Sequence, residues 1–281
     1  MKHSIRLFSI VLLAVVLAGC GVRSAYNNLD WLVMRWVNQQ ISLDAGQELM
    51  VRSALEDQLA WHCESQLPEY VAFLEGIERD VANGQLDADQ LREHGEQLAA
   101  FGRDLLQQAR PDILELLASL SNEQIDELRV GFEERNEELA EELAEQSPDG
   151  QQTNRVQGME RGMRRFVGRL TPEQRSRLES WAASLKPTTE ENMANRTDWQ
   201  ARFFSALDLR EDRAVFDPTM GSLLEPGTDW SDEYRATMEF NRDQTLQALA
   251  DIHSMAPDRQ LRRLQSRLSG WANDFERLSC S

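Results

Sequence analysis

Few side chains in this sequence have the type and spacing to do chemistry together. Beyond residue 20 the histidines are His62, His94 and His253, and none has the HExxH spacing of a zinc site. His62 directly precedes Cys63, but adjacent residues of a helix point about 100° apart and do not share a ligand. The sequence also lacks a CxxC pair, a GxSxG or SxxK nucleophile motif and a phosphate-binding glycine loop. We therefore predict no catalytic residue, no cofactor and no metal site, and we expect that the protein is not an enzyme.

Cys20 is the thiol with the most specific setting. Lys2 and Arg6 give a positive start, residues 7–17 form an apolar core, and Leu17-Ala18-Gly19 bring small residues to the position before the cysteine. This order is typical of a bacterial signal peptide that is removed in front of a lipid-modified cysteine. The core is too short to span a bilayer, which takes roughly 20 apolar residues.

The pattern around Cys20 predicts where the protein works. Residues 1–19 would be a lipoprotein signal peptide that is removed, and residues 20–281 would be the mature chain. Resemblance to bacterial lipoproteins implies a thioether-linked diacylglyceryl group and an N-acyl chain such as palmitate on Cys20, and two or more chains give stable anchoring. In such proteins Gly21, instead of Asp, after the cysteine implies export to the outer membrane. We predict a cell-envelope protein, anchored in the outer membrane through Cys20 and facing the periplasm.

The mature chain would be strongly acidic. Removal of residues 1–19 takes away two basic side chains and leaves 28 basic against 48 acidic ones, a formal net charge of -20. This charge is unfavourable for binding nucleic acid or anionic lipid headgroups. The remaining length and an apolar fraction of 41% suffice to bury a core. We predict one domain over residues 20–281, with the membrane and a protein partner or client as its contacts, and no nucleic acid.

Cys63 and Cys280 remain once Cys20 carries lipid. The compartment outside the inner membrane is oxidising and favours disulfides. A Cys63–Cys280 bond would tie the extreme C-terminus, which otherwise frays, to an early helix. Two free thiols, or a bond between two chains, are the alternatives, and the absence of a CxxC pair argues against a redox-active site. We predict the intramolecular disulfide.

The patterning of the chain is helical, with no sustained alternation of β-branched residues. A leucine, a capping residue and, three positions later, a glutamine recur together, and such a pair satisfies the free N–H groups of a helix's first turn. These starts occupy residues 43–47, 86–90, 120–124 and 170–174, and a looser copy at 256–260 has Pro257 at the first helical position. We predict an all-α fold of antiparallel helical hairpins packed as a bundle.

Turn-forming residues divide the predicted helices. Pro68 and Pro111 each predict that a helix ends and a new one starts, and Asn83-Gly84 predicts a turn. Residues 147–154 are polar and are predicted to form a loop. Residues 208–228 contain two prolines and two glycines, and we predict an irregular loop there.

Two side chains near the start of the mature chain have competing interpretations. Trp31 and Trp36 suit a membrane interface, where tryptophan is enriched. Apolar residues nevertheless recur there at the spacing of an inward helix face: Leu29, Leu32, Trp36 and Val37. We predict that this stripe packs in the core, with the membrane interface as the alternative. We also expect His62, at helical spacing from apolar residues, to be a half-buried, hydrogen-bonded histidine.

Several segments carry a family resemblance. Tyr-Asn-Asn-Leu-Asp-Trp-Leu at 26–32 is followed by Trp61-His62, by Leu-Pro-Glu-Tyr at 67–70, by Leu-Thr-Pro-Glu-Gln-Arg at 170–175 and by Leu-Ser-Gly-Trp-Ala at 268–272. Over essentially the whole mature chain these segments resemble an uncharacterised family of proteobacterial lipoproteins, known as a domain of unknown function. The resemblance implies an all-helical lipoprotein and supplies no activity. Cys63 departs from the basic residue expected after Trp-His, so the resemblance does not imply the disulfide.

The Leu-Thr-x-x-Gln start at 170–174 is also locally similar to those of Spy-type and CpxP-type periplasmic chaperones and stress sensors. That likeness implies binding of unfolded protein clients. We predict a membrane-anchored lipoprotein with a non-enzymatic role in binding or envelope organisation, and the alternative is a periplasmic chaperone or stress sensor. A contiguous exposed apolar patch would favour the chaperone. A deep pocket with converging histidine and carboxylate groups would favour an enzyme.

Overall fold

The computed structural model describes residues 21–228 and 230–280, and the regular secondary structure of those ranges is helical. In chain order the helices are α1 (Gly21–Tyr26), α2 (Leu29–Asn38), α3 (Ala45–Trp61), α4 (Leu67–Asn83), α5 (Ala88–Ala118), α6 (Asn122–Ala144), α7 (Pro148–Phe166), α8 (Pro172–Ser184), α9 (Thr189–Leu207), α10 (Arg213–Leu224), α11 (Asp232–Ser254) and α12 (Asp258–Glu276). A π turn, His62–Gln66, joins α3 to α4. The predicted all-α fold class is confirmed. Cys20 and the predicted signal peptide lie outside the described residues.

The recurrent start signals mark real helix N-termini. In three of them the cap accepts the N–H of the glutamine three residues on, whose side chain in turn accepts the cap's own N–H: Asp44, Ser121 and Thr171. Asp87 caps α5 by accepting two N–H groups of the first turn. A cap of this kind stabilises a helix by about 1 kcal/mol. Pro257 occupies the N-cap position of α12, one residue before the helical position that the sequence predicts.

The helices pack as antiparallel pairs, as predicted. Gln58 of α3 donates to Asp112 of α5, while Gln47 at the other end of α3 donates to Ser119, so the two helices run in opposite directions. α4 lies against α12, α8 against α11 and α9 against α10. Within the described ranges, no helix is both long enough and apolar enough to cross a bilayer.

Three hydrophobic cores lie between these pairs. The largest joins the ends of α2 and α5 to α6, α9 and α10, with Leu207, Phe216 and Met220 fully buried. A second core forms between α4 and α12 around Leu67 and Trp271. A third joins α7 and α8 to α11. Each core forms where the apolar faces of several helices meet. The residues of such a face recur at helical spacing, so the sequence predicts the face.

The prediction that a new helix starts at Pro111 is wrong. Pro111 lies inside the continuous helix α5. A proline in a helix removes one N–H donor, and its ring crowds the carbonyl of the preceding turn. Gln58 of α3 donates to the Gln108 carbonyl at this point, 3.2 Å away. Packing on α3, α10 and α11 therefore holds α5 helical through a residue whose local preference is to end it.

Both predicted loops are largely helical, which corrects the predicted irregular regions at 147–154 and 208–228. α7 begins at Pro148, where proline is well accommodated at the first helical position, and the Ser147 hydroxyl accepts the Gly150 N–H at 3.1 Å. α10 occupies the middle of the second region because Phe216, Met220 and Leu223 recur at helical spacing and are buried. The composition of these segments favours turns, but burial of an apolar face decides their structure.

Candidate functional site

The structure brings Cys63 and Cys280 together. Their Sγ atoms are bonded at 2.06 Å and their Cα atoms are 5.1 Å apart. The Cys280 N–H also donates to the Cys63 carbonyl at 3.1 Å. Cys63 lies in the π turn between α3 and α4, and Cys280 lies four residues beyond the end of α12. The C-terminus is therefore fastened to the point where α3 passes into α4.

The π turn explains how Cys63 reaches its partner. A π turn adds a residue to the helical ladder and is often found at functional sites. Pro68 then falls in the first turn of α4, where its missing N–H costs nothing. The turn directs Cys63 and Leu67 into the core between α4 and α12, and both side chains are buried. Pro68 does lie at the start of a helix, as predicted, but the predicted interruption is wrong because the chain stays helical from α3 through the π turn into α4.

His62, in the same turn, is enclosed by aromatic rings. Its Nδ1 shares a hydrogen bond of 3.1 Å with the Tyr26 hydroxyl, and its ring lies 5.4 Å from that of Tyr70. Burial lowers the pKa of His62 to about 4 and raises the pKa of Tyr26 to about 12. Both groups are therefore neutral at neutral pH. The prediction that His62 is half-buried and hydrogen-bonded is confirmed. Cys63 cannot bind a metal ion together with His62, because its sulfur is bonded to Cys280.

The N-terminal helix reaches the same place. Arg23 and Asp274 form an ion pair of 3.3 Å between α1 and α12, and Tyr26 joins α1 to the π turn. We call this meeting of both chain ends at the π turn the terminal junction; its members are Arg23, Tyr26, His62, Cys63, Asp274 and Cys280. Tyr26 lies only six residues after Cys20. The sequence predicts the disulfide but not the Tyr26–His62 and Arg23–Asp274 contacts, since no pattern of spacing links them.

The low pKa of His62 makes the junction sensitive to acid. Between about pH 6.5 and pH 4 the unfolded chain binds a proton at His62 that the folded chain does not. The free energy of unfolding therefore decreases as the pH is lowered through this range, by at most about 3 kcal/mol from this residue. We expect His62→Phe to remove that part of the loss. Urea unfolding at about pH 7.5 and about pH 4.5 measures it, and equal losses in wild type and variant would contradict the assignment.

Two pairs of glutamines couple the helix starts. Gln174 and Gln260 are fully buried and donate to each other's Oε1 at 2.8 and 3.0 Å. Gln174 also donates to the Ile252 carbonyl at 3.0 Å, and Gln260 donates to the Arg169 carbonyl at 2.8 Å. The start of α8 is thereby locked to the start of α12. These amides are fully used inside the protein, so their role is structural.

The second pair repeats this arrangement at the starts of α3 and α6. Gln47 and Gln124 donate to each other's Oε1 at 3.0 and 2.6 Å. Gln47 also donates to the Ser119 carbonyl, and Gln124 donates to the Ser42 carbonyl. The sequence identifies these glutamines as helix-start residues. Their pairing across helices is not predicted, because a glutamine at a helix start has the same local signal whether it faces water or a partner.

A shallow groove of about 350 Å³ lies between α9 and α10. Its lining is mixed: Arg202, Ser205, Ala206, Leu209, Thr219, Ser222 and Leu223. The one ionisable side chain in this lining, Arg202, forms an ion pair of 3.0 Å with Asp198. Among the described residues no group of three or more His, Cys, Asp or Glu side chains could hold a metal ion. The groove brings no base and nucleophile together.

The prediction that Trp36 packs in the core is wrong. Trp36 is 39% exposed and Trp31 is 55% exposed. Val37, a member of the predicted stripe, does pack on the largest core, and Met34, which the stripe does not include, is buried. The spacing of apolar residues shows that one face of α2 is apolar, but it does not show what that face contacts. The face of α2 that packs against α3 only partly coincides with the predicted stripe. The tryptophans therefore lie on the surface, close in sequence to the terminal junction.

Comparison with known proteins yields a single family. Residues 39–235 match the model of a family of unknown function. No curated protein and no solved structure matches the chain. The matched range includes the π turn and both halves of the Gln47–Gln124 pair, while α1, α2, α12 and Cys280 lie outside it.

Proposed function

Because the chain belongs to DUF6279, a family of unknown function, we propose a function from the chain's own residues: it is a lipid-anchored lipoprotein of the cell envelope with a non-enzymatic role in binding or envelope organisation. The anchor is Cys20: its Sγ displaces the phosphorylated headgroup of a membrane phospholipid and takes the diacylglyceryl group. The peptide bond before Cys20 is then hydrolysed, and the new amino group takes an acyl chain from a second phospholipid, which is left as a lysophospholipid. The protein faces the periplasm from the outer membrane.

The observation that carries this proposal is the setting of Cys20. Its signal pattern predicts cleavage in front of a lipid-modified cysteine. The folded part begins in the immediate neighbourhood: α1 starts at Gly21 and is held by the Arg23–Asp274 ion pair and the Tyr26–His62 hydrogen bond. An anchored domain of this kind has almost no flexible tether and stays close to the bilayer.

The binding role is supported by what the remaining surface offers. The mature chain has a formal net charge of -20, which favours basic or amphipathic protein partners over nucleic acid. Apart from Trp31 and Trp36 of α2, the large exposed apolar residues are distributed over several helices, including Leu49 of α3, Val130 of α6 and Phe240 of α11. This distribution supports a scaffold or docking protein better than a chaperone with one broad apolar surface.

Crosslinking and mass spectrometry of the lipidated protein in its native envelope test the role. The matched control is Cys20→Ala, which lacks the anchor. We expect one stoichiometric partner that is captured with the wild type and lost with Cys20→Ala. Capture of many substoichiometric, partly unfolded clients would instead identify a chaperone, and identical capture with both forms would contradict an anchored function.

A further inference from the structure

One half of α2 is apolar, with Trp31, Arg35 and Trp36 exposed and Leu29, Leu32 and Val33 half-buried. Successive residues of a helix are about 100° apart, so Leu32 occupies the middle of an arc of about 200° that Trp31 and Val33 bound. The arc contains five apolar side chains and one arginine: Leu29, Trp31, Leu32, Val33, Arg35 and Trp36. We call it the outer face of α2. None of Leu29, Leu32 and Val33 belongs to the three cores formed by the described residues.

We propose that the outer face of α2 lies on the phospholipid surface to which Cys20 is anchored. This inference rests on the proposed lipid anchor and adds an orientation to it. It commits the face to one occupant, the headgroup and upper acyl region of the bilayer. An amphipathic helix with tryptophan on its apolar side lies in that region, in the plane of the membrane.

The distance along the chain places the outer face within reach of the bilayer. Leu29 follows Cys20 by nine residues, six of which form α1. A helical residue advances about 1.5 Å and an extended one about 3.5 Å, so Leu29 lies within about 20 Å of the lipidated residue. The junction holds α1 against α12 and the π turn. Therefore α2 cannot move far from the membrane once Cys20 is inserted.

The local charge fits this occupant. Between residues 21 and 38 the charged side chains are Arg23, Asp30 and Arg35, a net charge of +1 within a strongly acidic chain. Anionic headgroups would repel most of the protein but not this segment. The Arg35 guanidinium lies over the Trp31 ring at 5.3 Å, so a cation and an aromatic ring are presented together. That pair suits a surface with phosphates above and acyl chains below.

The test uses the lipidated full chain in vesicles of phosphatidylethanolamine and phosphatidylglycerol, with and without a brominated phosphatidylcholine. Bromine in the acyl chains quenches tryptophan that enters the bilayer. The variant Trp31→Phe/Trp36→Phe keeps both positions aromatic. The matched control is Trp199→Phe, which removes a tryptophan that packs in the largest core and donates to the Leu223 carbonyl.

We expect brominated lipid to quench the wild type and Trp199→Phe, and Trp31→Phe/Trp36→Phe to lose most of that quenching. Equal quenching in all three proteins would overturn the inference. So would a lipidated, vesicle-bound wild type that is not quenched, or one that crosslinks to a second copy through α2 without being quenched. A chain whose mass shows no lipid on Cys20 would overturn the proposed anchor itself, and the mass thereby separates the two failures.

Discussion

Replacing Cys63 and Cys280 by alanine is expected to lower the free energy of unfolding by about 5 kcal/mol at most. The bond closes a loop between residues 217 positions apart, and removing it releases conformational entropy in the unfolded chain. Residual structure in the unfolded state would make the loss smaller. Urea unfolding of the oxidised wild type and of Cys63→Ala/Cys280→Ala, followed by circular dichroism, gives the difference.

The single variants provide the control for the disulfide. Each of Cys63→Ala and Cys280→Ala breaks the same bond, so the two single losses must not add up to the loss in the double variant. Cys280 is exposed, and without a bond its replacement would cost little. A neutral Cys280→Ala variant, together with unchanged stability of the wild type under reducing conditions, would show that Cys280 is not bonded to Cys63 in solution.

Gln174→Glu is expected to cost about 3 to 5 kcal/mol. The carboxylate cannot donate, so the Ile252 carbonyl and the Gln260 Oε1 lose their donor, and a buried charge then faces that oxygen. Gln174 is fully buried, which leaves no water to compensate. Protonation of the new carboxyl group restores a donor, so the destabilisation should decrease as the pH is lowered. Thermal and urea unfolding at two pH values measure both effects.

Gln90→Glu is the matched control for Gln174→Glu. Gln90 occupies the same third position of a helix, but it starts α5, and its backbone N–H is held by Asp87. A glutamate in the first turn interacts favourably with the helix dipole. We expect a change within about 0.5 kcal/mol, as for an ordinary surface substitution. A similar large loss in both variants would mean that the pairing with Gln260 is not what stabilises Gln174.

The comparison of Gln90 with Gln174 also shows what the sequence can predict. Both carry the same start signal, and both indeed lie at helix N-termini, because capping is a local interaction. Only the fold brings Gln174 opposite Gln260, 86 residues away, and no local pattern contains that information. The position of a helix start is therefore accessible from the sequence, whereas the polar contacts that lock the helices together are not.

The prolines show the same division. Pro68 lies in a first helical turn, where its local preference and the structure agree. Pro111 and Pro218 lie inside α5 and α10, where burial of apolar neighbours outweighs the lost hydrogen bond. The predicted breaks at these prolines follow from proline's local conformational preference. That preference contributes less free energy than burial of the apolar face of a packed helix, so the helix continues. The composition of residues 208–228 predicts a loop, but burial of an apolar face makes the middle of this region the helix α10.

The apolar face of α2 shows how far the sequence can predict a functional surface. Periodicity identifies an apolar face containing Leu29 and Leu32, and the usual occupant of such a face is the protein core. Val37 of that predicted face does pack on the largest core, whereas Leu29 and Leu32 belong to none of the three cores and the buried Met34 is not part of the predicted face. The proposed lipid site at Cys20 changes the expectation, because a bilayer competes with the core as the apolar environment. The signal at Cys20 is therefore the information that the periodicity of α2 lacks.

Mass spectrometry of the N-terminal peptide, taken from protein extracted from the cell envelope, tests the anchored function most directly. We expect a peptide that begins at Cys20 and carries the mass of a diacylglyceryl group and an N-acyl chain. A peptide that begins at another residue and carries no lipid would contradict it.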